Sequence, residues 1–455
     1  MKIAVIGAGY VGLVQAAGLA QLGHEVIAYD IHQRRIATLK KGLSPIYEPG
    51  LEECIKRGIE GKRLFFTDRL EEAVFFAPVL FLTVGTPAKS TGEADLSAVF
   101  AVAHQIALLA EEEKMLIIKS TVPVGTGDKV EKMMREISPS FPFHVVSNPE
   151  FLRQGSALHD FLLPDRIVIG LDDGGLAPLL QEIYKGIPAP ILWMDRRSAE
   201  MVKYAANVFL ATKISFINMM AELCESLSAD VEMVSLGMGS DRRIGPHFLK
   251  AGIGFGGSCF PKDAFALMHM AREAGVPVPM VEAMMETNDR IPDRIVHRLL
   301  SLLPIKARRI TLLGLTFKPG TDDLRDSPSL KVISHLAKYP YTLRAYDPLV
   351  KEGTPHPALH SVALTSTIQE AIEGTEAILL LTEWPEFKEA DWIRLRRLVS
   401  HPLFIDGRNC LDEEKMKKAG FQYIRIGKKP TLFLKTEGDP RESTDGKRGV
   451  PASRK

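Results

Sequence analysis

Cysteine is scarce: four thiols, at positions 54, 224, 259 and 410, serve 455 residues, with no Cys-x-x-Cys and no closely spaced histidines to pair with them. That spacing argues against a disulfide framework and a metal site, and it suits a reducing, cytoplasmic setting. Net charge is nearly absent as well, with 57 Lys and Arg against 56 Asp and Glu. No global field therefore recruits nucleic acid or an anionic membrane, and any anion site must be local. No apolar run reaches the roughly 18 residues that a membrane helix needs. Met1-Lys2 and the apolar residues behind them have the outline of a signal peptide, but Gly7, Gly9 and Gly12 interrupt it.

What remains has the composition of a globular protein, too long for one ordinary core, so two or three domains are expected. Lys2–Ile6 reads as a short strand, Gly7-Ala8-Gly9-Tyr10-Val11-Gly12 follows at once, and Leu13–Leu22 carries an apolar helical pattern. A second strand, Glu25–Tyr29, ends at Asp30, 18 residues past the last glycine. This is the setting in which Gly-x-Gly-x-x-Gly binds a dinucleotide: the glycines permit a tight turn, the helix N-terminus faces the diphosphate, and the acid holds the adenosine ribose. A carboxylate there repels a 2′-phosphate and favours NAD, with Arg34 and Arg35 as a counterweight.

Strands and helices go on alternating. Val79–Val84 runs into Gly85-Thr86-Pro87, Met115–Ile118 into Lys119-Ser120-Thr121-Val122-Pro123-Val124-Gly125, and Phe143–Val146 into Asn148-Pro149-Glu150-Phe151-Leu152. Polar residues just past strand ends are where open α/β sheets hold ligands; ordinary turn chemistry is the alternative. From Ala199 to about Ser228 a single long helix is expected, without glycine or proline. Lys203 and Asn207 share one face of it, aimed into a pocket or lying as a solvated stripe. Arg242-Arg243 and Phe248-Leu249-Lys250 then bring local positive charge, useful for a diphosphate.

The chemistry is expected in Gly254-Phe-Gly-Gly-Ser-Cys-Phe-Pro-Lys-Asp263. Glycines at 254, 256 and 257 let the backbone approach a ligand. They present Cys259 beside Lys262 and Asp263, and a nearby cation or helix N-terminus lowers a thiol from its free pKa of about 8.5. A glycine-rich turn around a buried, inert cysteine is the other reading. Beyond Arg309 a second α/β pattern appears: strands at Ile310–Leu313, Leu343–Tyr346, Ala377–Leu381 and Leu403–Ile405, each followed by a polar turn and none by a glycine fingerprint. Glu437–Lys455 is polar and reads as a disordered tail.

Taken in order, Gly7–Gly12, Pro45-Ile46-Tyr47-Glu48-Pro49-Gly50-Leu51, Gly85–Pro87, Ser120–Gly125, Asn148–Leu152, Lys203 with Asn207, Gly254–Asp263 and Phe317–Pro328 resemble the UDP-glucose/GDP-mannose dehydrogenases, over nearly the whole chain to about residue 430. Phe260 after the cysteine is similar to the UDP-glucose branch. The resemblance implies two Rossmann-like doubly wound α/β domains joined by a long central helix: an NAD-binding domain at 1–197, a helical dimerisation region with the cysteine loop at 198–300, a UDP-sugar-binding domain at 301–435 and a tail at 436–455. It implies oxidation of the sugar C6 alcohol to a carboxylate with two NAD, by way of a thiohemiacetal and a thioester on Cys259.

In that scheme Lys203 and Asn207 stabilise the oxyanion, Thr121 and Asp263 hold water, and Glu150 does base work. For the cofactor the resemblance adds Thr86, Thr121, Arg35, Lys262 and Arg325 to Gly7, Gly9, Tyr10, Val11, Gly12 and Asp30. For the UDP-sugar it adds Glu150, Phe151, Leu152, Phe248, Lys250, Gly256, Lys318 and Arg408 to Lys203 and Asn207. Arg243 reaches the sugar of a neighbouring subunit, so a homodimer or larger homo-oligomer is implied. Gln154 stands where relatives often carry an acid, and Met219 follows Asn218 where an acid is common. Three competitors stay open at this point: a 6-dehydrogenase for UDP-N-acetylmannosamine or GDP-mannose, a two-electron dehydrogenase with a structural Cys259, and a nucleotide-sensing protein without turnover.

Overall fold

The computed structural model describes residues 1–429; the expected tail at 436–455 lies outside them. Two sheets hold the chain, each buried on both faces by helices. Short, almost wholly apolar strands produce this: in Lys2–Ile6 four of five residues are buried, the signature of a parallel sheet covered on both sides.

The first sheet contains β1 (Lys2–Ile6), β2 (Glu25–Tyr29), β3 (Leu64–Thr67), β4 (Val79–Leu82), β5 (Lys114–Ile118), β6 (Phe143–Ser147), β7 (Ile167–Gly170) and β8 (Ile191–Met194), in the order β3-β2-β1-β4-β5-β6-β7-β8. β1 to β6 are mutually parallel, and β6 meets β7 antiparallel. The C-terminal ends of the six parallel strands therefore share one edge. Order reverses between β1 and β4, and at that switch point sits the glycine turn. The helix after it begins within the turn itself, at Tyr10 rather than Leu13. β4 stops at Leu82, two residues short of expectation, because Thr83 turns its hydroxyl to donate to Ile6 O at 3.0 Å and Gly7 O at 2.8 Å.

A helix of 32 residues, Arg196–Leu227, leads away from this sheet, roughly 48 Å at 1.5 Å per residue. Asp195 caps its start by accepting from Ser198 N, and Ser228 ends it in a left-handed conformation. Two more helices, Phe260–Glu273 and Pro279–Leu302, pack on it. Their shared core is small: Val208, Ala211, Phe255, Ala264, Val281, Met284 and Met285.

The second sheet contains β9 (Arg309–Leu313), β10 (Thr342–Tyr346), β11 (Val362–Leu364), β12 (Ala377–Leu380), β13 (Leu403–Asp406) and β14 (Gln422–Arg425), all parallel, in the order β11-β10-β9-β12-β13-β14. The expected class, two doubly wound α/β units joined by a long helix, is the one observed. Among the described residues no helix is long and apolar enough to cross a membrane.

Candidate active site

The glycine turn has the geometry a diphosphate needs. Gly7 takes φ +107°, and a Cβ on Gly12 would overlap Gly7 O, so no larger residue fits where the helix comes closest to the strand. Asp30, buried past β2, accepts from Ala8 N at 2.9 Å and His32 N at 2.9 Å, and pairs with Arg35 at 2.7 Å. Its carboxylate is thereby fixed beside the turn, as a ribose-binding acid must be. The residues present fit an NAD. Past β4, Thr86 donates its hydroxyl to Thr121 O past β5, 2.8 Å away. Lys262 and Arg325 line one cleft together with Pro87 and Ser258, and Asp323 grips Arg325 at 2.6 and 2.8 Å.

The cysteine turn is built by close backbone contact. Gly254 and Gly257 have positive φ, and a Cβ on Gly256 would overlap Asp326 O; Gly257 N donates to Arg325 O at 3.0 Å. Asn288, inside the Pro279–Leu302 helix, accepts from Phe255 N at 2.8 Å and donates to Phe255 O at 3.1 Å. Sequence reading missed Asn288; its only signal was one amide on an otherwise apolar helical face. Cys259 caps the next helix, with Asp263 N donating to Cys259 O at 2.8 Å.

Around the thiol a cleft of about 700 Å³ is lined by Lys119, Glu150, Phe151, Leu152, Lys203, Asn207, Phe248 and Cys259. Lys203 and Asn207 are both buried, which rules out the solvated stripe. Each holds a carboxylate: Lys203 Nζ meets Glu150 Oε1 at 3.1 Å, and Asn207 Nδ2 donates to Asp263 Oδ2 at 2.6 Å. Lys262 Nζ lies 2.7 Å from the other Asp263 oxygen, an ion pair without hydrogen-bond alignment. A second cleft of about 330 Å³ holds Lys250, Gly256, Lys318 and Arg408, and both clefts share His247, Phe248 and Phe260. Arg408 reaches across it, donating to Leu381 O at 2.7 Å and Phe317 O at 3.2 Å.

Arg243 projects away from both clefts, its side chain 89% exposed and paired with Asp241, and Thr121 and Asp263 line neither of them. Gln154 bridges the two halves, donating to Asp323 at 2.9 Å and accepting from Thr321 at 3.2 Å.

The thiol corrects one expectation. Cys259 is exposed as a residue, yet its sulfur is largely desolvated, and with Glu150 beside it the thiol is pushed above its ordinary value; Lys203 offsets this only in part. The lysine charge is largely spent on Glu150. Burial works to lower Lys203 itself, yet Glu150, Cys259 and Asp263 leave it raised and cationic. Lys119, also missed, is fully enclosed; burial lowers it to about 8, and it donates to Asn148 at 3.1 Å.

Comparison with known proteins covers most of the chain. The UDP-glucose/GDP-mannose dehydrogenase family matches in three parts, its NAD binding domain at residues 1–188, its central domain at 197–290 and its UDP binding domain at 311–413. The chain is 45% identical to UDP-glucose 6-dehydrogenase TuaD of Bacillus subtilis, covering 94% of this chain and 93% of that one. It is 43% identical to UDP-glucose 6-dehydrogenase of Rhizobium meliloti, covering 94% and 100%. A solved UDP-glucose dehydrogenase from the hyperthermophilic archaeon Pyrobaculum islandicum superposes with a TM-score of 0.85 at 37% identity, covering 94% and 98%.

The raised thiol has a direct test. Iodoacetamide labelling of Cys259 in the ligand-free protein should rise with pH through a midpoint above the free-thiol value of about 8.5. Glu150→Gln should move that midpoint down and Lys203→Ala should move it up. A wild-type midpoint below about 7 would contradict this balance of charges around the thiol.

Proposed function

The chain belongs to the UDP-glucose/GDP-mannose dehydrogenase family, and from that premise we propose that it oxidises the C6 alcohol of UDP-glucose to the carboxylate of UDP-glucuronate. It is an NAD-dependent oxidoreductase. The observation that carries the proposal is the convergence on one cleft of Cys259, the Lys203–Glu150 pair and Asn207, which holds Asp263 behind it. Phe260, next to the thiol, favours the UDP-glucose branch.

NAD⁺, when bound, would supply the hydride acceptor for each of two oxidations. The residues of the chain do the rest. In the first oxidation the hydroxyl proton leaves through water in the cleft, Lys203 stabilises the alkoxide, and loss of hydride gives the aldehyde. The Cys259 sulfur then adds to the aldehyde carbon, forming a C–S bond with no change of oxidation state. The thiol proton leaves through water in the cleft, so Glu150 stays ionised for the hydrolysis. Lys203 and the free N–H of Asn207 bind the new oxyanion; losing one such donor typically costs about 2.7–4 kcal/mol. The second oxidation gives the thioester. Water held by Thr121 and Asp263, relieved of a proton by Glu150, breaks the C–S bond and restores the thiol.

The second cleft takes the nucleotide diphosphate: neither Lys250 nor Lys318 has an ion-pair partner among the described residues. Phe151 and Leu152 line the sugar side. Gly7, Gly9, Tyr10, Val11, Gly12, Asp30, Arg35, Thr86, Thr121, Lys262 and Arg325 hold the dinucleotide. We assign the protein to a homodimer in a reducing cytoplasm. Phe209, Phe216 and Leu223 on the long helix are 66%, 39% and 47% exposed, a seven-residue spacing that makes one unpartnered stripe. Arg243, turned away from its own cleft, is the residue offered to the partner's sugar.

Two NADH should form per UDP-glucose consumed, and Cys259→Ala should lose full turnover. One NADH with an unaffected mutant would overturn the covalent scheme, and turnover confined to UDP-N-acetylmannosamine or GDP-mannose would overturn the substrate. Mixing the inactive variants Cys259→Ala and Arg243→Ala should restore about a quarter of wild-type sites once dimers exchange at random; no recovery after confirmed exchange would contradict the shared site.

A further inference from the structure

Glu48 belongs to the Pro45–Leu51 motif, and none of the chemistry above uses it. It is 6% exposed and has no cationic partner within the described residues. Three donors hold its carboxylate instead. Tyr10 donates its hydroxyl to Oε2, Gly155 N donates to the same oxygen at 2.7 Å, and Ala157 N donates to Oε1 at 2.7 Å. A carboxyl group this buried depends on its donors, since each polar atom left without a partner costs free energy.

Those donors come from two functional elements. Tyr10 is the first residue of the helix that opens the dinucleotide turn. Gly155 and Ala157 end the loop that begins at Glu150 and carries Phe151 and Leu152. At its start, Glu150 accepts from Leu152 N at 2.6 Å and pairs with Lys203. At its end, Gly155 lies so near the loop after β9 that a Cβ would stand 2.9 Å from Gly320 O, and Gln154 is bonded to Asp323 and Thr321 of that same loop. Lys318 and Arg325 lie in it as well. One carboxylate thus joins the cofactor turn to the sugar loop, and the sugar loop is clamped to the nucleotide domain.

We propose that Glu48 is a positioning residue that couples the two sites, so that a dinucleotide bound at the Tyr10 turn tightens binding of the UDP-sugar. A diphosphate seated on the helix N-terminus holds Tyr10; Tyr10 holds Glu48; Glu48 holds Gly155 and Ala157 where Phe151 and Leu152 meet the sugar. By linkage the sugar nucleotide tightens the cofactor by the same factor. This rests on the substrate reading above.

Calorimetric titration of the full chain with UDP-glucose, without and with saturating NADH, reads the coupling without turnover. Wild type should bind UDP-glucose at least about fivefold tighter with NADH, and Tyr10→Phe should reduce that ratio to less than about twofold. Tyr10→Phe removes one of the three donors to Glu48, so some loss of unfolding temperature is expected; the ratio of affinities with and without NADH is the readout, because a merely structural loss lowers both affinities alike. Glu48→Gln, which keeps one acceptor of two, should lose the ratio as well and serves if the first variant folds poorly. An equal ratio in wild type and variants, or no dependence on NADH in wild type, would overturn the proposal. Wild type that binds no UDP-glucose at all would instead strike the substrate reading, and UDP-N-acetylmannosamine then replaces it in the same titrations.

Discussion

One turn of one helix carries the constraint on which the site depends. Lys203 and Asn207, four residues apart, each fix a buried carboxylate from a different element: Glu150 beyond β6 and Asp263 beyond the cysteine turn. Breaking a buried ion pair by removing one partner costs about 3–5 kcal/mol, because the other charge stays behind without compensation. The groups proposed for the chemistry are therefore also the fastenings between first sheet, central helix and cysteine helix. That double duty limits how far Lys203 favours the thiolate of Cys259: the lysine is committed to Glu150, and the thiol is shifted upward rather than down.

The cysteine turn is held from its other sides by backbone rather than by charge. Asn288 closes two bonds on Phe255, Gly257 donates to the Arg325 carbonyl, and Gly256 is pressed against Asp326. The thiol thus stands where three parts of the chain meet. The first sheet brings the dinucleotide turn, the helical centre brings the donors, and the second sheet brings Lys318 and Arg408. No single part contains enough of the cleft to work alone.

Much of this could be read from the residues, and the rest resisted for physical reasons. The strands that were legible, β1, β2, β4, β5 and β6 in one sheet and β9, β10, β12 and β13 in the other, lie inside their sheets and are almost continuously apolar. Those that escaped include both edges of each sheet, β3, β8, β11 and β14. They have three or four residues each and partly exposed faces, so they lack the pattern that full burial imposes. β7 escaped because it is only four residues long, although helices flank it on both sides. Within the site, Cys259, Lys203 and Asn207 announced themselves by glycine crowding and helical spacing. Asn288 did not, being one amide on an apolar helical face, and Lys119 and Glu48 stood in quoted stretches without a role, because only the fold brings their partners to them. The sign of the Cys259 shift was also out of reach, because it depends on how much of the Lys203 charge Glu150 absorbs.

The most direct test of the central claim, that Cys259 carries the oxidised sugar, is mass spectrometry of acid-quenched Glu150→Gln protein mixed with UDP-glucose and NAD⁺. With the hydrolytic base removed, the account predicts a UDP-glucuronyl thioester on the peptide containing Cys259, absent without NAD⁺. Formation of two NADH per sugar while that cysteine stays unmodified at every quench time would contradict it.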